Sequence, residues 1–276
     1  MLSRRYFIRA GFAAIAAGGL AACGNGSASS AAKSKKLTVA ASPSPHAEIL
    51  DNFAAPRLKQ QGITLKTKEY TDYIIPNQVT SSGEVDANYF QHINYLNNYN
   101  KENGTDLVGV AAIHYEPFGI YAGKSKDLKG IQDGAQIAVP NDPTNEGRAL
   151  LLLQQEKLIT LKDPDNLQAT PVDIAKNPHN LKFVEVEAAA VARQLQDVDF
   201  AVINGNYAIE AGMHVKDALA VEDKNGKAVK QYANYIVTTP DKKDDARIKA
   251  LVKVLTSDDF KKYLAKTYDK DVLPAF

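Results

Sequence analysis

Three short stretches hold the residue types that bind small molecules. In the first, IAVPNDPTNEGRALLLLQQ, a turn of Asn, Asp and Pro separates a β-rich run from a helical one. Asp142 or Thr144 is placed to cap that helix, and Pro143 suits its first turn. Arg148 then falls in the opening turns, where a cation meets the positive end of the helix dipole and is disfavoured unless an anion is also present. Helix amides and a guanidinium together suit a carboxylate, which arginine binds through two parallel hydrogen bonds. A solvated arginine, or an ion pair with Glu146, fits the same spacing. Nothing in the stretch matches a glycine-rich phosphate loop.

The second stretch is VDANYFQHINYLNNY. Phe90 and His92 stand at a strand end, and Tyr95 and Tyr99 follow His92 on one helical face. Such a stripe is usually core packing, but a histidine within it would offer a polar nitrogen beside aromatic faces, which suits a half-polar ligand. Tyr73, in EYTDYIIPN, is a further ring that could join it. The third stretch, FAVINGNYA, ends a strand at Asn204, at the carboxyl edge of a parallel sheet where open α/β folds bind ligands. Asn234 lies in the otherwise apolar run YANYIVTT. Each asparagine offers a donor and an acceptor, to a ligand or equally to turn and crossover backbone. No GxSxG, no HExxH and no cysteine nucleophile in the mature chain accompanies these stretches, so a binding protein is expected rather than an enzyme. His92 has no second His or Cys within reach by sequence, and neither a metal nor a cofactor is expected.

The elements that must position these side chains follow a repeated rhythm. LTVAA precedes HAEILDNFAAPRLKQQ, ITLKTKEY precedes YIIPNQVTSS, and VDANYF precedes HINYLNNYNKEN, the order of βα units on a mostly parallel sheet. Two strand-like runs without a helix between them, in LVGVAAIHYEPFGIYAGKS, break the rhythm, and it restarts at QIAVP. A second lobe is therefore expected over 118–229. The helical segments DARIKALVKVL and SDDFKKYLAKTY are too short together for a core of their own, so 230–276 should return to the first lobe, 37–117. The fold class that results is α/β, with two lobes, two crossovers and a ligand cleft between the lobes.

The 276 residues carry 33 Lys+Arg against 32 Asp+Glu, a formal charge of +1 that excludes a polybasic partner surface and with it nucleic acid. The chain holds a single cysteine, which rules out an internal disulfide. That residue, Cys23, ends an apolar run behind Arg4, Arg5 and Arg9, and the run is shorter than the about 20 residues a membrane span needs. Residues 1–22 have the order of a secretory signal peptide. Leu20, Ala21, Ala22, Cys23 and Gly24 look like a bacterial lipobox, which makes Cys23 the lipidated first residue of the mature chain. The polar stretch that completes 23–36 then serves as a flexible tether. The start SRRYFIR also resembles a twin-arginine export motif, as ordinary leaders with paired arginines do.

Taken in order, the lipobox, SPSPHAEIL, EYTDYIIPN, VDANYFQHINYL, AVPNDPTNEGRALLLLQ and FAVINGNYA resemble the NlpA family of substrate-binding lipoproteins, and within it the methionine-binding kind. The resemblance runs from Leu37 to Phe276. It implies a two-lobed periplasmic-binding-protein fold of type II-like form, anchored by lipid at the extracytoplasmic face of the cell membrane. It also implies delivery of methionine, in the L form with the D form a second candidate, to an ABC transporter permease with its ATPase. Another small apolar amino acid, a methionine-containing dipeptide or a surface adhesin built on the scaffold is the alternative. The family's ligand contacts fall on Tyr73, Phe90, His92 and Tyr95 in the first lobe, on Asn141, Asn145, Arg148 and Asn204 in the second, and on Asn234 in the returning crossover. Two departures stand out. Tyr89 occupies a position where the family usually has a small residue, and Ile93 with Asn94 replaces a common Lys-Pro pair.

Overall fold

The computed structural model describes residues 35–223 and 228–276. The signal peptide expected over 1–22, Cys23 and most of the tether lie outside the described residues.

Strand β1 (Lys36–Ala41) shows how the first sheet is built: Leu37, Val39 and Ala41 alternate into one core, the period-two pattern of a strand with a buried face. It is followed by β2 (Thr64–Glu69), β3 (Ala87–His92), β4 (Val108–Tyr115), β5 (Gly119–Ala122) and β6 (Gln136–Pro140). Then come the short antiparallel pair β7 (Thr160–Leu161) and β8 (Ile174–Lys176), β9 (Lys182–Val186), β10 (Phe200–Ile203), β11 (Ala220–Val221), β12 (Asn234–Thr238) and β13 (Leu273–Pro274). The helices are α1 (Ala55–Gln60), α2 (Ile75–Ser81), α3 (Ile93–Asn103), α4 (Pro143–Gln155), α5 (Ala188–Val191), α6 (Gly205–Glu210), α7 (Ala228–Gln231), α8 (Ala246–Leu255) and α9 (Asp258–Thr267).

Two main sheets result, ordered β13-β4-β12-β3-β1-β2 and β11-β5-β10-β6-β9. The sequence rhythm predicts mostly parallel sheets, and this needs correction. β1 runs parallel to β2 and β3, and β6 parallel to β9 and β10, but β12 is antiparallel to β3 and β4, and β5 antiparallel to β10 and β11. A parallel connection needs a crossover of about a dozen residues or more. β4 passes to β5 through three residues, Glu116, Pro117 and Phe118, and in doing so changes sheet. The chain returns between β11 and β12, a stretch that includes the short helix α7.

HAEILDNFAAPRLKQQ is not one α-helix. Two wider turns, Pro43–Ala47 and Leu50–Ala54, precede α1, and Pro56, which has no N–H to donate, stands at the junction. The last two helices do pack on the first sheet. Ile248, Leu251 and Leu255 of α8 and Phe260 and Leu264 of α9 recur at helical spacing and are buried with Leu37, Val39, Phe53 and Tyr89. Truncating one of them, such as Leu251→Ala, should cost about 2–5 kcal/mol. Leu150 and Leu153 of α4 do the same against Ile137, Val139, Phe200 and Val202 in the second sheet.

One polar network fixes the segment that carries Tyr73. Asn77 and Gln91 exchange two hydrogen bonds of 3.0 and 2.6 Å, and Asn88 donates to Asn77 and Thr80, all of them buried. These bonds fasten α2 to β3, because any one amide left unpaired at this depth costs its full desolvation.

Candidate ligand-binding site

The carboxyl ends of β3, β6 and β10 bring His92, the loop into α4, and Asn204 to a common cavity. Tyr73, Phe90 and Tyr95 form an aromatic wall, and Glu116, Asn145, Arg148, Asn204, Asn206 and Asn234 supply polar groups.

Arg148 is buried at 5% exposure, which excludes the solvated arginine. Its partner is Glu222, not Glu146. Nε donates to Oε2 at 3.0 Å and Nη2 donates to Oε1, while Nη2 also reaches the Glu116 carbonyl at 3.0 Å. The guanidinium lies over the rings of Tyr232 and Phe118, at 4.2 and 4.7 Å from their centroids. Nη1 has no hydrogen-bond partner among the described residues and is the edge left for an anion.

The amides at the start of α4 are used differently from the expectation. Asp142 is the cap, and its Oδ1 accepts from the Asn145 N–H at 3.0 Å and from the Thr144 hydroxyl at 2.9 Å. That cap consumes one of the helix amides expected to meet a carboxylate. It also takes the Asn145 side-chain NH2, at 2.9 and 3.0 Å, so that only Oδ1 of Asn145 faces other partners. Asn204 Nδ2 donates to that oxygen at 2.8 Å, and His92 Nε2 lies 3.3 Å from it.

His92 has a structural task that its sequence position did not suggest. It caps α3, its Nδ1 accepting the Tyr95 N–H at 3.1 Å, which leaves the proton of the neutral ring on Nε2, aimed at Asn145. Burial, with the Arg148 charge behind it, lowers the imidazole to a pKa of about 3, so the ring is neutral at physiological pH. Tyr95 is one turn on, at the cavity, and its hydroxyl donates to the Tyr73 carbonyl at 3.0 Å. Tyr99, expected on the same stripe, instead packs with Leu96, Leu107 and Val237 away from the cavity. Tyr73 stands 5.8 Å from Phe90, 5.7 Å from Tyr95 and 5.0 Å from Tyr207, in the tilted and edge-on geometries that aromatic rings prefer.

Two amide atoms on the wall lack any partner among the described residues: Asn204 Oδ1 and Asn206 Nδ2. The other end of Asn206 accepts the Tyr73 hydroxyl at 2.6 Å, and Tyr207, next along α6, donates to the Thr71 carbonyl at 2.8 Å. An unsatisfied acceptor and an unsatisfied donor, both buried, are what a ligand carrying both charges could complete. Asn141 is the exception among the expected contacts. It lies in an adjoining recess that shares Tyr73 and Tyr95 with the cavity, and its N–H is taken by the Val186 carbonyl at 2.9 Å.

Glu116 is a cavity residue that sequence reasoning missed. Its Oε1 lies 2.7 Å from His114 Nε2 and 3.4 Å from His46 Nε2, and His46 Nε2 is also 3.1 Å from Asn234 Oδ1. Among the described residues these three, His46, His114 and Glu116, are the group whose ligand atoms, all within 4.8 Å of one another, could together hold a metal ion. His114 and Glu116 are joined by a hydrogen bond, and His46 makes its own to Asn234. Burial pushes the Glu116 carboxyl up, yet the two histidines and Arg148 hold it below its ordinary value. His46 is lowered to about 4, by burial above all. The signal available in the sequence was a lone acid between two apolar strands, in HYEPFGIY. Gly205 lets α6 approach this acid, since a Cβ there would stand 2.5 Å from the Glu116 Cβ.

A family model described as NlpA lipoprotein matches residues 37–276. The methionine-binding lipoprotein MetQ of Bacillus subtilis (strain 168) is 45% identical over 264 residues, 94% of this chain and 94% of that protein. Among solved structures, an ABC transporter periplasmic substrate-binding protein from Coxiella burnetii is 39% identical with a TM-score of 0.80, covering 86% of this chain and 99% of its own. A nutrient binding protein from Burkholderia cenocepacia, solved bound to methionine, is 38% identical with a TM-score of 0.81, covering 87% of this chain and all of its own. The α/β architecture described above is the two-lobed one of these substrate-binding proteins.

Proposed function

The chain belongs to the NlpA lipoprotein family, and on that premise we propose that it captures methionine outside the cytoplasm and delivers it to an ABC transporter permease with its ATPase. The observation that carries this reading is one cavity lined by both kinds of group. Arg148 and the unpartnered Asn204 Oδ1 and Asn206 Nδ2 line it together with the rings of Tyr73, Phe90 and Tyr95. The polar groups suit an amino-acid head group. The rings suit an unbranched thioether, since sulfur against aromatic edges contributes about 0.3–1.5 kcal/mol per contact.

In this reading Tyr73, Phe90, His92, Tyr95, Asn145, Arg148, Asn204 and Asn234 surround the ligand, and Asn141 takes part only if the ligand extends into the adjoining recess. The lobes are 37–117 with 230–276, and 118–229. Cys23 carries the lipid that holds the mature chain to the membrane, and 23–36 is its tether. The relatives named above are substrate-binding proteins, and the chain is read as one that releases its ligand unchanged.

The direct test is native mass spectrometry of protein purified without added ligand, followed by calorimetry. A retained mass equal to methionine, with tighter binding of methionine than of glutamine or glutamate, is the expected result. Equal affinities for the three would overturn the assignment, and a retained mass of another amino acid or of a dipeptide would replace it.

A further inference from the structure

We propose that the edge of the first sheet opposite the ligand cavity docks on anionic lipid of the membrane that anchors the chain, with Lys243, Lys249 and Lys253 meeting the head groups. The proposal goes beyond methionine capture and rests on the lipid-anchor reading of Cys23.

The strands fix where this edge lies. β1 begins at Lys36, β4 begins at Val108 and β12 ends at Thr238, all at one end of the sheet. His92 ends β3 and Asn234 opens β12 at the other end, beside the cavity. Strands of about six residues put the two ends about 20 Å apart. The described chain enters the fold at Lys35, on the edge away from the cavity. The stretch 24–34 joins that point to Cys23, and glycine- and serine-rich chains of such a length average about 20 Å end to end. An acyl group on Cys23 therefore keeps this edge, rather than the cavity, near the bilayer.

α8 lies across the same edge. Arg247 Nη1 donates to the Lys36 carbonyl and Nη2 pairs with Asp86 at 3.2 Å, which sets the amino end of α8 beside the chain entry. Further along, Val252 and Thr256 border an open groove with Val108 and Val110 of β4. β13 pairs with β4 at His114 and Tyr115, and among the described residues no strand lies beyond Val108 and Val110 on that side.

The charge of the groove is one-sided. Lys243, Lys249 and Lys253 line it with one acid, Asp244, which pairs with Lys249 at 2.7 Å. Lys243 and Lys253 are exposed and make no ion pair among the described residues, whereas Lys242 and Arg247 are held by Asp86 and Asp245. Lys35 and Lys36 stand exposed at the chain entry. Loss of Arg4, Arg5 and Arg9 with the leader takes the formal charge from +1 to −2, so the positive surplus here is local. Each basic residue near an anionic surface strengthens attachment by about fivefold. A few lysines hold a free protein weakly, but a tethered chain needs no more, because its concentration at the surface is already high. Docked this way, the cavity faces away from the bilayer, toward the medium that supplies the ligand. Lysines beside an open strand edge also discourage pairing between copies, a role the experiment separates from docking.

The test uses the full mature chain, acylated at Cys23 and reconstituted in vesicles of phosphatidylcholine alone or mixed with phosphatidylglycerol. Thr256→Cys puts a fluorophore beside the groove, and Val172→Cys puts one on the second lobe at a position 78% exposed; acylation blocks the chain's own thiol. Quenching by lipid carrying a nitroxide on its head group reads the distance to the surface. The label at 256 should be quenched severalfold more with phosphatidylglycerol present, and the label at 172 should change little. High salt should abolish the gain, and so should Lys243→Glu, Lys249→Glu and Lys253→Glu combined, with methionine affinity unchanged. Equal quenching of the 256 label in the two lipid mixtures overturns the proposal, as does a gain that survives the charge reversals. Self-association of the charge-reversed chain without a change in quenching would assign the lysines to guarding the edge instead. Quenching that rises with protein density alike in both mixtures would give the groove to a second copy. A chain that fails to float with either vesicle shows that the anchor reading itself has failed, and the proposal falls with it.

Discussion

Arg148 and Glu222, 74 residues apart in the chain, face each other as a two-point pair in which the guanidinium uses Nε and Nη2 and leaves Nη1 toward the cavity. Glu222 also accepts the Tyr115 hydroxyl at 2.6 Å and the Phe118 N–H at 2.9 Å, so the pair ties β4, the passage out of it, α4 and the end of β11 together. The arginine's unfavourable place near the start of a helix is thereby answered from within the protein. A ligand carboxylate at Nη1 would add to a charge already neutralised, and the fixed orientation of the guanidinium is what the pair contributes to binding.

Arg148→Ala should therefore fail in two ways. Leaving Glu222 buried without its partner costs about 3–5 kcal/mol of stability. Losing the contact with the ligand costs about 2–5 kcal/mol of affinity, roughly 30- to several-thousand-fold. Arg148→Lys should recover little of either, since an ammonium cannot make the planar two-point contact. Denaturant unfolding separates the first effect from calorimetric titration of the second. A folded Arg148→Ala that binds methionine within about threefold of the parent would remove the arginine from the site.

Stability should fall as pH drops below about 6.5. His92 and His46 have folded pKa values lowered from 6.5 to about 3 and about 4, so their contribution is complete above 6.5 and is lost as the pH falls toward those values. Glu146 opposes them. Burial, then Glu185 and Asp142, raise its carboxyl from 4.5 to about 7, so its contribution is present below 4.5 and lost as the pH rises through 7. Between about pH 4.5 and 6.5 the unfolded chain binds two protons on the histidines where the folded chain binds one on Glu146, a net slope of about one proton. Urea unfolding across this range should show that slope, and Glu146→Gln should roughly double it. A flat profile would contradict the burial of these rings in their neutral form.

The parts of the site that were legible in the sequence are those fixed locally. Asp142 and Pro143 announce the start of α4 within four residues, and Asn204 ends a run of buried strand residues, so the placement of both could be read from order alone. The partners of Arg148 and Glu116 could not. Glu222 follows a two-residue strand with no periodic pattern, and His46, His114 and Glu116 meet only because the turn after β1, β4 and the passage between the sheets converge in space. The antiparallel halves of the sheets were hidden for a related reason. A βα rhythm reports local alternation, whereas the direction in which β12 enters depends on the route by which the chain returns.

Cys23→Ala should release the protein from the membrane. The prediction follows from the lipobox order of Leu20 to Gly24 and from membership in a lipoprotein family. Two acyl chains suffice for stable anchoring where one does not, so the substitution should move the chain from the detergent fraction to the aqueous one on phase partitioning. Persistence of the variant in the detergent phase, with its leader removed, would count against lipidation at this residue.

Methionine should draw the two halves of the protein together, because each holds only part of the site. Tyr73, Phe90 and His92 belong to the segments of the first sheet, and Arg148, Asn145, Asn204 and Asn206 to those of the second, so neither set can surround a ligand alone. The closed arrangement is held directly by the bond from the Tyr73 hydroxyl to Asn206 at 2.6 Å, the Tyr207 hydroxyl to Thr71 at 2.8 Å and His92 to Asn145 at 3.3 Å. Each such bond is worth about 0.5–1.5 kcal/mol net, too little by itself to exclude an open form. A ligand that touches both halves adds its own contacts to the closed form only, and the population shifts by that difference. Solution scattering should accordingly show a smaller radius of gyration on adding methionine and little change with glutamate or lysine, whose polar ends would lose water against Tyr73, Phe90 and Tyr95 at a cost of about 1–3 kcal/mol each. Tyr73→Phe, which deletes one bridging bond and keeps the ring, should weaken methionine by about fivefold and leave more of the protein open at equal ligand concentration. Tight binding with an unchanged radius would mean that the closed form is already the resting state, and closure would then contribute nothing to selectivity.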